Sequence, residues 1–172
     1  MAKLFLFRLS SLLLLVFAIA VILGVYSARR RHAMSSWAET TGLWKLTSIV
    51  FEDNFTDQDV PDWYLHIDGL SLEHIDVGLT TTGKVIPRVH GIDMEGPDDT
   101  LVHALYECSG GRLTICHSQP GEKRPNAIPS DKSSVDKNAL YEYERVAPEN
   151  LDQVMAKIEA RRRFAAESPN NK

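Results

Sequence analysis

Two cysteines and six histidines are the side chains of this chain best suited to act as nucleophiles, bases or metal ligands. Cys116 is followed directly by His117. A histidine activates a thiol only from within hydrogen-bond reach, and neighbours on a strand point to opposite faces. Cys116 therefore reads as structural packing, with a thiol- or histidine-dependent hydrolase built around it as the alternative. Cys108 and Cys116 are separated by seven residues, a spacing that fits no standard zinc pattern. The histidines (His32, His66, His74, His90, His103 and His117) stand at no tight ligand spacing, so no metal is expected. No Gly-x-Ser-x-Gly, phosphate loop or dinucleotide fingerprint is present, and no cofactor is expected. Asn54-Phe55-Thr56 is a glycosylation sequon, which matters only in a eukaryotic secretory host. Arg124-Pro125 lies in a loop rich in Pro, Gly, Ser and Lys. It reads either as an anion clamp or lid, or as a proline that fixes the chain path beside an arginine paired to a nearby acid.

The element that must position both cysteines is a β-hairpin centred on Ser109-Gly110-Gly111-Arg112. Gly-Gly supplies the positive φ angles of a two-residue hairpin turn. Pairing outward from it sets Cys108 opposite Leu113, Tyr106 opposite Ile115, Ala104 opposite His117, and Leu105 opposite Cys116. The thiols then point to opposite faces. A disulfide needs Cα atoms about 4.4–6.8 Å apart, so both cysteines are expected to stay unbridged.

A hairpin with one apolar face needs further sheet, and the chain supplies it. Gly42 to Phe51 reads as a strand, Glu52 to Val60 as a polar loop, and Asp62 to Ile67 as a strand turned at Asp68-Gly69. Leu70 to Val77 follows, then a short Thr-rich strand bracketed by Gly78 and Gly83. Lys84 to Met94 is a strand interrupted by Pro87, which belongs at an edge or bulge. After the central hairpin, Ala139 to Val146 alternates strictly. About eight short strands with no helix between them argue for an antiparallel sandwich or up-and-down barrel. A closed barrel also removes exposed edges. From Pro148 to Glu167 the apolar residues Leu151, Val154, Met155 and Ile158 recur at helical spacing, predicting a C-terminal amphipathic helix.

The N-terminal region differs. Leu9 to Ala28 is a run of twenty uncharged, mostly apolar residues, long enough to cross about 30 Å of hydrocarbon. Its length favours an uncleaved anchor over a cleaved signal peptide, whose apolar core is usually about 7–15 residues. Charges flanking the run are nearly balanced, so they do not set its orientation. The expected organisation is a basic N-terminal region (1–8), a transmembrane segment (9–28), a juxtamembrane linker (29–41), the β-domain (42–146), and the C-terminal helix and tail (147–172). Of the 19 Lys and Arg residues, 14 lie beyond Arg31 together with all 23 acids, so the soluble part carries about −9. No basic stripe interleaved with aromatics is present there, which argues against a nucleic-acid partner.

Thr41-Gly42-Leu43-Trp44-Lys45-Leu46 resembles the opening Gly-x-Trp strand of lipocalin-like domains. The ordered set of Leu105-Tyr106-Glu107, Gly110, Leu113-Thr114-Ile115-Cys116, Pro120-Gly121 and Arg124-Pro125 resembles a lipocalin-like domain family of unknown function abundant in planctomycete bacteria. The resemblance spans Gly42 to about Val146, and departs where the family has an aromatic after Arg-Pro and this chain has Ile128. It implies an eight-stranded lipocalin-like barrel with no established activity. It also implies that Trp44 seals the closed end beneath a cation from the last strand, here Arg145, and that Gly42, Tyr106, Leu113, Cys116, Arg124 and Pro125 are fold-signature positions. Eight strands leave a lumen either filled by side chains or holding one small ligand. The expected function is a membrane-tethered barrel on the non-cytoplasmic side that binds a small apolar or amphipathic ligand or a protein partner, without catalysis.

Overall fold

A computed structural model describes residues 2–51, 54–55, 60, 62–76, 80–131 and 138–167. Most of the loop expected at Glu52 to Val60, Thr56 of the sequon, Gly78, part of the Arg124 loop and the Ser168 to Lys172 tail lie outside these residues.

Eight strands form a closed antiparallel up-and-down barrel: β1 (Gly42–Phe51), β3 (Tyr64–Asp68), β4 (Ser71–Ile75), β5 (Thr80–Arg88), β6 (Gly91–Glu95), β7 (Leu101–Ser109), β8 (Arg112–Ser118) and β9 (Asn138–Arg145). A two-residue strand, β2 (Asn54–Phe55), pairs with the far end of β1. Closure is made by β1 against β9, from Trp44 opposite Arg145 to Phe51 opposite Ala139, with a bulge between Leu46 and Ser48. The central hairpin has the expected register, Cys108 to Leu113, Tyr106 to Ile115, Leu105 to Cys116 and Ala104 to His117. Gly110 and Gly111 both take positive φ, 57° and 79°, as the two-residue turn demands.

Two expected boundaries differ. Gly83 does not end a strand: β5 runs through it to Arg88, and the hairpin turns at Val89-His90 instead. A Cβ at Gly83 would come 2.8 Å from the Glu95 carbonyl oxygen, so this glycine permits a close approach between strands. The pairing of β4 with β5 ends at Ser71 opposite Lys84. Pro87 therefore lies beyond its neighbour on that side, and its missing N–H leaves no ladder bond unmade.

The segment 29–41, read as a juxtamembrane linker, is helical as far as Ala38. The N-terminal helix α1 runs without a break from Ala2 to Ala38, because Arg29 to Ala38 contains neither Pro nor Gly to stop it. Its last turn drives Trp37, 1% exposed, into the near end of the barrel. There the ring packs with Trp44, Leu46, Ile67, Leu113 and Tyr143. Within α1 the span Ser11–Ala38 is apolar enough, at a mean hydropathy of 2.5 in its best window, and long enough to cross a bilayer.

After a single 3-10 turn at Pro148–Asn150, helix α2 (Leu151–Glu167) lies on the outer wall. Ile158 is buried there against Leu43, Tyr64 and Ile75, with Val154 and Met155 beside it. Its polar side is tied down by Arg161 and Lys157 on Asp62 and by Arg162 on Glu73.

Candidate functional site

The barrel has a near end, from which α1 leaves, and a distal end. Near-end packing is dense. Trp44 is fully buried and its indole N–H donates to the Thr40 carbonyl at 2.7 Å. The Arg145 guanidinium lies 4.5 Å from the centre of its ring and donates to the carbonyls of Glu39 (2.6 Å) and Thr41 (3.2 Å). Arg145 itself is exposed, and a cation held over a ring at such a site contributes about 0.5–1 kcal/mol. Gly42 opens β1 opposite Ile67, and Leu113 is fully buried in the same cluster. Tyr106 meets Trp37 edge-on at 5.1 Å and donates its hydroxyl proton to Ser36 at 3.1 Å. The Trp37 indole N–H donates to the Gly69 carbonyl at 2.8 Å. Trp37 was not singled out in the sequence; the one available signal was a large aromatic in a stretch of small and polar residues.

Arg124 crosses the outer wall. It donates to the carbonyls of Ala104 (2.8 Å), Ile92 (2.9 Å) and His90 (3.2 Å) and to the Asp93 carboxylate. Asp93 is 3% exposed and also meets Arg88 (2.5 Å) and His103 (2.8 Å). Burial alone would raise the Asp93 pKa; His103, Arg88 and Arg124 outweigh it and hold the carboxyl below its usual range. The anion gripped by Arg124 is thus internal, and Pro125, buried beside it, holds the loop on the wall. Asp93 carried no sequence signal of this role, because its partners come from three other segments.

Cys116 is fully buried on the outer face, among Val50, Leu140 and Ile128. Burial pushes its thiol pKa up, away from the reactive thiolate. His117, next in sequence, faces the lumen and stacks on Tyr141 at 5.2 Å. The barrel wall separates the thiol from that imidazole. Both cysteines are free.

The distal half of the lumen is emptier. Among the described residues it contains a cavity of about 190 Å³, walled by Leu72, His74, Met94, Val102 and His117. Trp63 lies edge-on to His74 at 5.1 Å. Burial lowers the pKa of both histidines, partly offset by Asp76 for His74 and by the Ser118 carbonyl for His117. Burial thus favours the neutral imidazoles, each one donor and one acceptor. The His117 Nδ1–H donates to the Ser118 carbonyl at 2.9 Å, which leaves its Nε2 as an acceptor. Thr81, Lys84, Glu95 and Thr100 also line the wall. Among the described residues no group of three or more His, Cys, Asp or Glu side chains could hold a metal ion.

Comparison with family models, with curated proteins and with solved structures finds no match for this chain.

Proposed function

We propose that this chain is a membrane-tethered, lipocalin-like barrel that binds a small, mainly apolar ligand in the distal half of its lumen, without catalysis. The observation that carries this reading is the mainly apolar cavity of about 190 Å³ with His74 and His117 in its wall, both of which burial shifts toward the neutral form. A pocket for a drug-sized molecule is roughly 300–1,000 Å³. The ligand is therefore smaller than that, or inserts only one apolar end between Leu72 and Val102. The histidines supply the few polar groups that orient a ligand in such a chamber. Residues 9–28 hold the barrel at the bilayer on its non-cytoplasmic side, with the near end toward the lipid.

Separation of Cys116 from His117 by the wall counts against the thiol-enzyme alternative. A partner-binding module is favoured by one observation, the filled near half of the lumen around Trp37, Trp44 and Tyr143. Native mass spectrometry of the purified full-length protein separates the two readings. A co-purified small molecule that is lost on Val102→Trp, which fills the cavity, supports ligand binding. Protein that carries no small molecule, and is indifferent to Val102→Trp, refutes it.

A further inference from the structure

A second opening lies outside the barrel, where α1 leaves the near end. This crevice of about 620 Å³ runs between one face of α1 and the rim of β5, β6 and β7. Arg29, His32 and Ser36 line it from the helix at i, i+3 and i+7, spacings that share one face. From the barrel, Arg88 and Glu107 line it, and Glu39 closes its upper end. Arg88 is bound through Nε to Asp93, a carboxylate it shares with Arg124, and on the helix side the basic groups are Arg29 and His32. Neither Arg29 nor Glu107 has an ion-pair partner among the described residues.

The order of these charges along α1 is the informative feature. Arg29 directly follows the apolar run, and His32 lies about 5 Å further along the axis at 1.5 Å per residue. A headgroup layer adds about 5–7 Å to each side of the hydrocarbon. With residues 9–28 across the bilayer, Arg29 and His32 thus stand at the depth of lipid phosphates. The acid Glu107 belongs to the barrel side, whereas Glu39, seven residues past His32, lies about 10 Å further from the hydrocarbon. A zwitterionic phospholipid presents its charges in the same sequence, phosphate nearer the hydrocarbon and amine further out. An anionic headgroup without an amine would set no cation against Glu107.

We propose that this crevice binds the headgroup of a phospholipid bearing an amine, its phosphate on Arg29 and His32 and its ammonium toward Glu107. The site rests on the reading of residues 9–28 as a membrane span, and is separate from the luminal cavity.

The test uses the full chain reconstituted in vesicles of equal phosphatidylethanolamine and phosphatidylglycerol, extracted in mild detergent and weighed by native mass spectrometry. Phosphatidylethanolamine should be retained over phosphatidylglycerol by about fivefold, and Arg29→Ala with His32→Ala should reduce retention at least as much, as expected for removing an interfacial cation. Glu107→Lys, a change at an exposed position, should reverse the preference. Equal retention of both lipids, retention unchanged in these variants, or displacement of the lipid by inorganic phosphate alone would overturn the proposal. Carbonate extraction of the same vesicles separates the causes. Release of the protein overturns the membrane span and this site together, whereas a resistant protein without lipid preference overturns the site alone.

Discussion

Replacing Trp37 by alanine should destabilise the barrel, although Trp37 belongs to the same helix as the apolar segment and precedes the first strand. The side chain is 1% exposed and shares a cluster with Trp44, Leu46 and Ile67. Emptying a large aromatic site costs about 3–5 kcal/mol. That range includes the edge-on contact with Tyr106, worth about 0.5–1.5 kcal/mol, and the indole hydrogen bond to Gly69, worth about 1 kcal/mol net. Trp37→Phe keeps most of the ring and removes the N–H, so it should cost about 1–2 kcal/mol by the same figures. For a barrel of this size each kcal/mol moves the midpoint by about 4–8 °C, so the alanine variant should melt at least about 12 °C lower. The assay is thermal unfolding of the full-length protein in detergent, followed by near-ultraviolet circular dichroism. A Trp37→Ala midpoint within about 2 °C of the parent would show that α1 ends outside the barrel and contributes nothing to its core.

The other predictions address the wall. Arg124→Ala should cost about 3 kcal/mol in urea denaturation, the low end for breaking a buried pair, because Arg88 and His103 still hold Asp93. No change in the urea midpoint would refute the bridging role. Alkylation in the native state should label Cys108, which is half-buried, well before Cys116, and both should label after denaturation; recovery of a Cys108–Cys116 cross-linked peptide would contradict the register. Burial raises the Asp62 carboxyl, but hydrogen bonds from Lys157, Arg161 and Tyr64 outweigh it and bring the pKa from 3.8 to about 2. The unfolded chain therefore takes up that proton first on acidification. The attachment of α2 is fully present above about pH 4 and loses about 2 kcal/mol as pH falls toward 2. Asp62→Asn should flatten that part of the pH dependence, and an unchanged slope would refute it.

Much of the barrel was legible in the sequence because its information is local. The register of β7 and β8 follows from two adjacent glycines and the alternation on either side, since a strand's side-chain period is two and the turn sets the count. Trp44 and the helical spacing of Val154, Met155 and Ile158 were readable for the same reason. Gly83 misled because a glycine in a strand marks either a turn or a close approach. Only the distance to the Glu95 carbonyl distinguishes them.

By itself, then, the sequence determined most of the strand series, the pairings of the central hairpin, the apolar N-terminal run and the C-terminal helix. Each depends on periodicity within a few residues of the chain. Tertiary structure alone decided that Trp37 plugs the barrel, that Arg124 closes on Asp93 rather than on a ligand, and that Cys116 packs on the outer face with Val50, Leu140 and Ile128. It also decided that, among the described residues, the near end of the lumen is packed and the distal end keeps a cavity of about 190 Å³. These outcomes depend on which distant segments meet, as Trp37 meets Gly69 and Tyr106, and on the volumes left between them. Local spacing records a residue's face, but not the partner that face will bury against.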